Sequence, residues 1–565
     1  MSNDKTLHPT GRPAGQLPAR EPTGGDVLVQ VMRRHGIDTA FGVISIHNLP
    51  LVEAVARELT FVEVRHEAAA VNAADGYARA SGKIGVALTS TGTGAGNAAG
   101  SMLEALTAGS RVLHVTGQIE TEHLGSGRGV IHEVPRQLQM LDAISKHAHT
   151  ITDAKSVEAD LEQAVARILS APQGPASVEW PSDLQYLARP DEQLPFEAVV
   201  DATVAPEPTD VADAVRLLST AKRPLIWVGG GAAGARAELT ELLHTLGAGL
   251  LTSNSGRAIV PEDDDLVIGN FASTPQVARL LERADLLLSV GSHFRSNETK
   301  SYHLPLPTPH IQIDVDPAAI GRVHPADVGV TGDAAATLAA INEALVDTSV
   351  ESTWTHAVRT VRADARRTLT DYIGGYAEIC STMRAMLPRE SVVARDVTIP
   401  SSQWGNRLLE LYSRETNIFP LGGGIGQGLA MGLGAASART DVPTVVMAGD
   451  GGLAVHLGEL ASLAGSRAWC VVVVFNDGGY GVLRNMQRAN GFDEAGVDLF
   501  TPDFALLAAS LAMPYHLVRG PGEFEGAFRD ALAVRGPVIV EVDVAAVEPK
   551  PGAFVPPVHV PTKEG

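Results

Sequence analysis

Short apolar runs alternate with amphipathic stretches along most of the chain, and this alternation constrains the fold more than any other feature. The amphipathic stretch 26–35, for example, is followed by apolar runs at 84–89 and 112–116. Such a rhythm of helices and strands places parallel strands in one sheet and covers both of its faces with helices. The sequence therefore predicts an α/β protein made of doubly wound parallel sheets.

Polar and proline-containing stretches divide this rhythm into three units, a reasonable number for 565 residues at about 100–200 residues per domain. We predict a flexible arm at 1–22, an N-terminal domain at 23–190, a central α/β domain at 205–345 and a C-terminal domain at 375–548. Residues 346–375 are more polar and are predicted to form a helical connector. The proline-rich residues 549–565 are expected to form a flexible tail or a lid over a site.

The formal net charge of -21 limits the partners of the chain. Phosphates would be repelled, so we expect neither nucleic acid nor an anionic membrane to bind. The sequence has no run of about 18 apolar residues, so we expect no transmembrane helix. The polar N-terminal residues do not resemble a signal peptide. Cys380 and Cys470 lie in apolar stretches without metal-ligand spacing, which predicts a cytoplasmic protein with two buried structural thiols.

The strongest local signal lies where two apolar runs of the C-terminal unit end. The run 444–448 leads into a Gly-Asp-Gly-Gly turn with Asp450, and the run 470–475 leads into an Asn-Asp-Gly-Gly turn with Asp477. The carboxyl ends of neighbouring parallel strands meet at one edge, so both carboxylates could bind one hard cation. A backbone carbonyl near Gly479 could be a third ligand, and magnesium usually keeps phosphate oxygens as further partners. A single Gly-Asp-Gly turn is common, so the pair of motifs carries the prediction of a magnesium–diphosphate site.

This pair of motifs resembles the signature of thiamine-diphosphate-dependent enzymes, whose second motif usually carries a second asparagine where this chain has Asp477. The resemblance spans Gly25 to about Val544 and is closest to the benzoylformate decarboxylase and acetolactate synthase branch. It implies a pyrimidine-binding domain, a central domain and a diphosphate-binding domain. It also implies active sites between chains, and therefore a homodimer or a homotetramer.

Two further segments carry the resemblance. Glu67 lies at the position of the family's glutamic acid, which binds the cofactor's pyrimidine ring and makes the cofactor's own amine basic. Taken alone, Glu67 could equally be a solvated residue on a helix. The glycine-rich segment 422–428, which taken alone resembles a phosphate loop, has Ile425 where the family has the bulky aliphatic residue that bends the cofactor. Further cofactor contacts are expected from Gly423, Thr398, Ser401, Gly451, Gly452 and Asn97.

The substrate side departs from both named relatives. Benzoylformate decarboxylases carry two histidines where this chain has Ser90 and, approximately, Asn297, and acetolactate synthases carry a tryptophan where it has Met486. His47 resembles a substrate-facing histidine of benzaldehyde lyase and of some 2-oxo acid decarboxylases, and His132 occupies the stretch in which acetolactate synthases place a catalytic glutamine. We therefore predict that His47 and His132 contact the substrate, although a lone histidine is more often structural.

The leading hypothesis is non-oxidative decarboxylation of a 2-oxo acid, carboligation, or both. The alternative within the family is a lyase for a 2-hydroxy ketone or a 2-hydroxyacyl-CoA, with Arg257, Arg295 and Lys300 as candidate CoA ligands. Glycines after two strands of the central unit would allow FAD or CoA to bind there, although related decarboxylases have this fold without a nucleotide. A non-catalytic cofactor-binding protein would not need Glu67, and an NAD-dependent dehydrogenase would need a Gly-x-Gly-x-x-Gly after its first strand, which is missing.

Overall fold

The computed structural model describes residues 21–187, 203–547 and Phe554, so the predicted arm 1–22 and tail 549–565 lie almost wholly outside the described residues. The described chain forms three α/β units, and each unit holds one six-stranded sheet in which all neighbouring strands run parallel. Helices cover both faces of each sheet. The predicted fold class is therefore confirmed.

In the N-terminal unit the strands lie in the order β2-β1-β3-β4-β6-β5. Its strands are β1 (Thr39–Gly42), β2 (Thr60–Glu63), β3 (Gly85–Thr89), β4 (Val112–Gln118), β5 (His147–Thr150) and β6 (Ala176–Pro181). Its helices are α1 (Gly24–Arg34), α2 (Leu49–Glu58), α3 (Glu67–Ser81), α4 (Thr93–Ala108), α5 (Gln137–Ala143), α6 (Val157–Leu169) and α7 (Ser182–Tyr186).

The central unit has a different strand order, β12-β11-β10-β7-β8-β9. Its strands are β7 (Pro224–Val228), β8 (Gly249–Thr252), β9 (Val267–Gly269), β10 (Leu286–Val290), β11 (His310–Asp314) and β12 (Val328–Thr331). Its helices are α8 (Pro208–Thr220), α9 (Arg236–Leu246), α10 (Pro275–Arg283), α11 (Ala334–Ala344) and α12 (Ser352–Tyr372).

The C-terminal unit repeats the order of the first sheet, as β14-β13-β15-β16-β18-β17. Its strands are β13 (Val392–Arg395), β14 (Asn417–Ile418), β15 (Thr444–Gly449), β16 (Cys470–Asn476), β17 (Tyr515–Val518) and β18 (Val538–Asp543). Its helices are α13 (Tyr376–Met386), α14 (Gly428–Ala438), α15 (Asp450–Val455), α16 (Glu459–Ser466), α17 (Gly481–Ala489), α18 (Phe504–Ser510) and α19 (Glu523–Ala533).

Strands β15 and β16 show why this sequence forms parallel sheets. Both are rich in valine and almost completely buried, as expected for central strands with helices on both faces. In such a sheet ligands bind where the strand order reverses, outside the carboxyl ends of the two strands that flank the reversal. These strands are β1 and β3 in the N-terminal unit, and β13 and β15 in the C-terminal unit.

A close helix crossing joins the N-terminal and C-terminal units. A Cβ atom on Gly76 of α3 would lie 2.0 Å from the carbonyl oxygen of Met431 on α14. Likewise, a Cβ on Gly434 would lie 1.8 Å from the carbonyl oxygen of Ala73. Only glycine allows backbones to approach this closely. The two units are therefore held together through α3, the helix that Glu67 begins.

The predicted connector is part of the central unit. Helix α12 buries Trp354 and Val358, and the Trp354 indole nitrogen donates to the carbonyl oxygen of Pro224 at 2.9 Å. Both cysteines are buried and free, as predicted. Burial raises the pKa of the Cys380 thiol and the pKa of the Cys470 thiol to about 12, so neither is a reactive thiolate at neutral pH.

Candidate active site

Asp450 and Asp477 meet at the carboxyl edge of the C-terminal sheet. Asp450 begins α15 directly after β15, and Asp477 follows β16. The backbone nitrogen of Asp477 donates to Asp450 Oδ1 at 3.2 Å. Asp450 is completely buried, and its second oxygen, Oδ2, has no hydrogen-bond partner among the described residues. A buried carboxylate oxygen without a partner is costly, and a cation at this point would satisfy it.

The electrostatics of this pair also fit a cation. Burial raises the pKa of Asp450. Burial and the neighbouring Asp450 carboxylate raise the pKa of Asp477 to about 6. A Cβ on Gly451 would lie 2.8 Å from the carbonyl oxygen of Gly479, which therefore lies beside the carboxylates. Gly479 has φ 147°, a conformation that favours glycine. Two carboxylates and one carbonyl form an oxygen ligand set of the kind that magnesium prefers.

Hydroxyl groups lie beside the acidic pair, in the diphosphate loop (residues 396–401) that follows β13. A Cβ on Gly449 would lie 3.0 Å from Thr398 Oγ1. Ser401 begins a short π-helical turn, Ser401–Gly405, and is completely buried. Its Oγ has no hydrogen-bond partner among the described residues. Both hydroxyls are thus placed at the strand edge where a phosphate would need donors.

Ile425 projects from the C-terminal unit on a loop that two glycines shape. Gly423 and Gly426 have φ of 81° and 82°, so the chain turns sharply on either side of Ile425. The Ile425 side chain is 38% exposed, although it belongs to a loop between buried elements. We call residues 421–428 the Ile425 loop. An exposed aliphatic side chain on a constrained loop is suited to support an apolar ring.

Glu67 lies at the carboxyl edge of the N-terminal unit as the first residue of α3. Asn97 Nδ2 donates to Glu67 Oε2 at 3.0 Å. A Cβ on Gly94 would lie 3.1 Å from Glu67 Oε1, so the first turn of α4 approaches both carboxylate oxygens. Glu67 is half-buried, and Asn97 donates to only one of its carboxylate oxygens, so the carboxyl group can also bind a ring nitrogen.

His47 and His132 form a second cluster at this edge. Their ring centroids are 5.1 Å apart at an interplanar angle of 81°. His47 is 6% exposed, and its Nδ1 has no hydrogen-bond partner among the described residues. Burial, and secondarily the nearby His132, lower the pKa of His47. His132 has φ 67°, and its Nδ1 lies 3.4 Å from Thr93 Oγ1 at the start of α4.

The three positions that differ from the named relatives have different surroundings. Ser90 follows β3, is buried, and has an Oγ without a partner among the described residues. A Cβ on Gly94 would lie 2.8 Å from Ser90 Cβ, which places Ser90 near Glu67. Asn297 is exposed in the central unit, and Met486 is half-buried on α17. Ser90 is therefore the departure that lies beside the predicted catalytic residues.

The structure thus gathers the predicted site residues into two groups, one on each of the two similar units. A histidine pair lies between them, because the rings of His66 and His456 have centroids 5.3 Å apart. His456 Nδ1 lies 3.0 Å from the carbonyl oxygen of Gly426 in the Ile425 loop, and His66 caps α3 immediately before Glu67. The catalytic, cofactor and metal roles of these residues stay predictions.

The glycines of the central unit are explained by backbone packing. A Cβ on Gly229 would lie 2.1 Å from the carbonyl oxygen of Gly291, and Gly231 N donates to the same oxygen at 3.1 Å. Arg257 is buried and bound to Glu262, and Arg295 donates to the carbonyl oxygens of Leu421 and Thr107. The burial and the ion pair of Arg257 argue against it as a CoA ligand, whereas half-buried Arg295 and exposed Lys300 stay predictions.

Sequence reasoning missed two buried acids that hold the Ile425 loop, Glu104 and Asp396. Glu104 is 2% exposed on α4, and Asp396 is 1% exposed after β13. One signal was present, because Glu104 is the only charged residue in the sequence of α4. An acid in a helix of small and apolar residues is seldom buried without a specific partner.

Three doubly wound units, with an acidic pair on one and a glutamate beside two histidines on another, define the architecture of a thiamine-dependent enzyme. The chain matches three domain families of thiamine pyrophosphate enzymes in order. They are the N-terminal TPP binding domain at residues 22–143, the central domain at 211–341 and the C-terminal TPP binding domain at 400–542. The chain belongs to the thiamine pyrophosphate enzyme family.

Curated relatives are similar over almost the whole chain. A probable 2-ketoarginine decarboxylase AruI of Pseudomonas aeruginosa is 29% identical over 531 residues, which cover 93% of this chain and 94% of the relative. A probable acetolactate synthase large subunit of Methanocaldococcus jannaschii is 26% identical over 94% of this chain and 93% of its own. The chloroplastic acetolactate synthase of Arabidopsis thaliana is 26% identical over 92% and 81%. The predicted enzyme class and its acetolactate synthase-like branch are confirmed.

None of the helices in the described residues is both long and apolar enough to cross a membrane.

Proposed function

We propose that this enzyme removes carbon dioxide from a 2-oxo acid without an oxidant and can join the product to a second carbonyl compound. The observation that carries the proposal is the contact between buried His47 and half-buried His132 at the same strand edge as Glu67. Imidazoles can hold and move protons near neutral pH, and they can donate to a substrate carboxylate. The curated relatives, a 2-ketoarginine decarboxylase and acetolactate synthases, support the same chemistry.

Thiamine diphosphate, when bound, supplies a carbon nucleophile and an electron sink. In the proposed site Glu67 binds the pyrimidine ring nitrogen, and Asn97 fixes the direction of its carboxyl group. His47 and His132 orient the substrate carboxylate and hold the proton that the product carbon receives. Ile425, whose side chain is exposed, would support the cofactor. The burial of His47 keeps competing water away from this proton.

Magnesium and the diphosphate belong in this proposal to the C-terminal unit. Asp450, Asp477 and the Gly479 carbonyl would hold the metal, and the unpartnered Asp450 Oδ2 supports this assignment. Thr398 and Ser401 would donate to the diphosphate. Gly449, Gly451 and Gly452 leave room at the strand end for the cofactor to approach the backbone.

We also propose that two chains are needed for one active site. Apolar side chains are exposed at both strand edges, among them Ile46 and Ile131 on the N-terminal unit and Leu483 on the C-terminal unit. A second copy would cover these side chains and bring Glu67 of one chain towards Asp450 of the other. Sedimentation equilibrium should therefore find a dimer or a tetramer, and an active monomer would contradict this assignment.

A carbon dioxide release assay tests the reaction. The purified enzyme with thiamine diphosphate and magnesium is offered aromatic, aliphatic and basic 2-oxo acids, and we expect release from at least one class. A parallel assay offers an acyloin and a 2-hydroxyacyl-CoA. Cleavage of either compound, with no carbon dioxide from any acid, would replace the proposal by the lyase alternative. The engagement of Arg257 and Arg295 with protein groups argues against the CoA compound.

Among 2-oxo acids, one observation favours a basic side chain. Glu120 follows β4 and raises the pKa of His47, opposing the effects of burial and His132, so its carboxylate lies near this histidine. The 2-ketoarginine decarboxylase named above acts on such a substrate by its name. If the proposal holds, 2-ketoarginine should be preferred to a neutral 2-oxo acid of equal length. Glu120→Gln should remove that preference without lowering turnover of the neutral acid.

A further inference from the structure

Two buried carboxylates hold the two ends of the Ile425 loop. Glu104 Oε1 accepts from Leu421 N at 2.6 Å, and Glu104 Oε2 accepts from Gly422 N at 2.6 Å. At the other end Asp396 Oδ1 accepts from Gly426 N, and Asp396 Oδ2 accepts from Gly428 N, both at 3.1 Å. All four carboxylate oxygens are thus directed at backbone N–H groups of one eight-residue loop.

Burial of the Glu104 and Asp396 carboxylates costs free energy, and contacts with the loop offset it. A buried charge is tolerated only when it is paired or fully hydrogen-bonded. Glu104 meets this requirement through the loop and through Arg79, whose Nη2 lies 3.1 Å from Glu104 Oε1. Arg79 in turn donates to the carbonyl oxygen of Phe419 at 2.9 Å. Arg79 also binds Asp75, so it links α3 to Glu104 and to the chain segment that enters the Ile425 loop.

The packing around both acids leaves the loop little freedom. A Cβ on Gly422 would lie 2.8 Å from Glu104 Oε2, and a Cβ on Gly428 would lie 2.8 Å from Asp396 Cβ. Between these fixed ends, the chain turns sharply on either side of Ile425. The backbone is therefore held on both sides of Ile425 while its side chain stays exposed.

We propose that Glu104 and Asp396 are positioning residues that fix the place and direction of the Ile425 side chain, which would support the cofactor. This inference rests on the proposed role of Ile425 in thiamine diphosphate binding. The two residues do not act alike, because Asp396 also accepts from Val397 N at 2.6 Å in the diphosphate loop. Asp396 therefore holds the Ile425 loop and the start of the diphosphate loop, whereas Glu104 holds only the Ile425 loop.

Glu104 adds a connection between domains. It lies on α4 of the N-terminal unit, and the first turns of the same helix carry Asn97, the partner of Glu67. A single helix thus contacts the glutamate that would act on one cofactor and the loop that would support another. Any displacement of α4 would move both contacts.

We call the hold of Glu104 and Asp396 on the two ends of the Ile425 loop the clamp. Amide hydrogen exchange of the full-length, cofactor-free protein tests it directly. In Glu104→Gln we expect at least about tenfold faster exchange in peptides that contain Leu421 and Gly422, since one charged acceptor is lost. Asp396→Asn should accelerate exchange in peptides that contain Gly426 and Gly428. The control is Glu162→Gln, which removes another buried acid with a charged partner, Arg34, outside the loop. The control should leave peptides 421–428 unchanged.

The loaded enzyme supplies a second readout, the rate at which the cofactor's reactive carbon exchanges its proton for deuterium. Glu104→Gln should slow this exchange about tenfold and change thiamine diphosphate affinity by less than about threefold. Asp396→Asn should slow the exchange and also weaken cofactor affinity about tenfold. Glu104→Asp keeps the charge but shortens its reach, so it should resemble Glu104→Gln if contact is what matters.

The outcomes separate the inference from the function on which it rests. Unchanged amide exchange in the loop for both Glu104→Gln and Asp396→Asn would overturn the clamp. Unchanged deuterium exchange at the cofactor in both variants would overturn its positioning role. If the wild-type enzyme binds no thiamine diphosphate, the proposed function is overturned instead. The amide measurement would still test the clamp, because it needs no cofactor.

Discussion

The N-terminal and C-terminal units share one strand order but carry different chemistry at the same edge. In both sheets the order reverses between the first and third strands of the unit. Along that edge the C-terminal unit presents the buried carboxylate of Asp450, the half-buried carboxylate of Asp477 and hydroxyl groups. The N-terminal unit presents instead a glutamate bound to an amide and a pair of histidines.

The shared sheet topology thus determines where a ligand can bind, whereas the side chains on the loops determine which chemistry takes place there. Acids and hydroxyls at the C-terminal edge suit a cation and a diphosphate, which have to be held. Imidazoles and one carboxyl group at the N-terminal edge suit proton transfer, which has to be fast. Substitutions at the C-terminal edge should therefore change affinity, and substitutions at the N-terminal edge should change turnover.

The sharpest test of this division is Glu67→Gln. The amide keeps the shape of the side chain but cannot act as an acid, so we expect turnover to fall by about 10²–10⁴-fold. Thiamine diphosphate affinity should change little, because the proposed site has the other unit hold the diphosphate. Steady-state rates and a cofactor titration measure the two effects. Glu63→Gln, an exposed acid at the end of β2, is the matched control. Full activity of Glu67→Gln would remove the assigned role.

Asp450→Asn should show the opposite pattern. Loss of one buried carboxylate from the proposed ligand set should weaken magnesium affinity by about 10–100-fold. Turnover should recover in large part when magnesium is raised to saturation, because the proton-handling edge is intact. A magnesium titration at fixed cofactor concentration measures both quantities. A fall in turnover that no magnesium concentration restores would break the proposed division between the two edges.

The fold was predictable wherever a short segment carries its own signal. The predicted apolar runs 444–448 and 470–475 agree to within one residue with β15 and β16, because consecutive buried apolar residues form a clear pattern. The connector at 346–375 was harder, since α12 is polar on most of its surface and buries only Trp354, Val358 and Ala365. Its packing on the central unit depends on partners that lie far away in the sequence.

The candidate site was predictable where family motifs mark it and not where long-range contacts make it. The spacing of Asp450 and Asp477 suffices, because adjacent parallel strands place both at one edge. The contact between Glu104 and Leu421 joins residues 317 positions apart, and no local pattern encodes such a pairing. The His47–His132 cluster depends in the same way on a loop whose path the sequence does not reveal.

A pH profile sharpens the description of the N-terminal edge. Burial, and then the nearby His132, lower the pKa of His47, so His47 stays neutral until the pH falls below its ordinary value. His132→Gln removes the smaller of the two causes, and the pKa of His47 should rise. If neutral His47 is the active form, the acid limb of kcat/KM should move to higher pH by less than about one unit. A shift to lower pH would contradict this arrangement.

The smallest effect is expected for Asp477→Asn at alkaline pH. Asparagine keeps an oxygen ligand at this position but has no carboxyl group to take up a proton. In the wild type, burial and the neighbouring Asp450 raise the pKa of the Asp477 carboxyl group to about 6. At pH 8 magnesium affinity should therefore change by less than about tenfold. In the wild type, protons compete with the metal as the pH falls through about 6, so affinity declines there. The magnesium affinity of Asp477→Asn should lack this contribution to the decline. The magnesium affinities of the two proteins should therefore be closer to each other at pH 5.5 than at pH 8. Calorimetric titrations at both pH values test this, and parallel declines in the two proteins would show that Asp477 does not bind the metal.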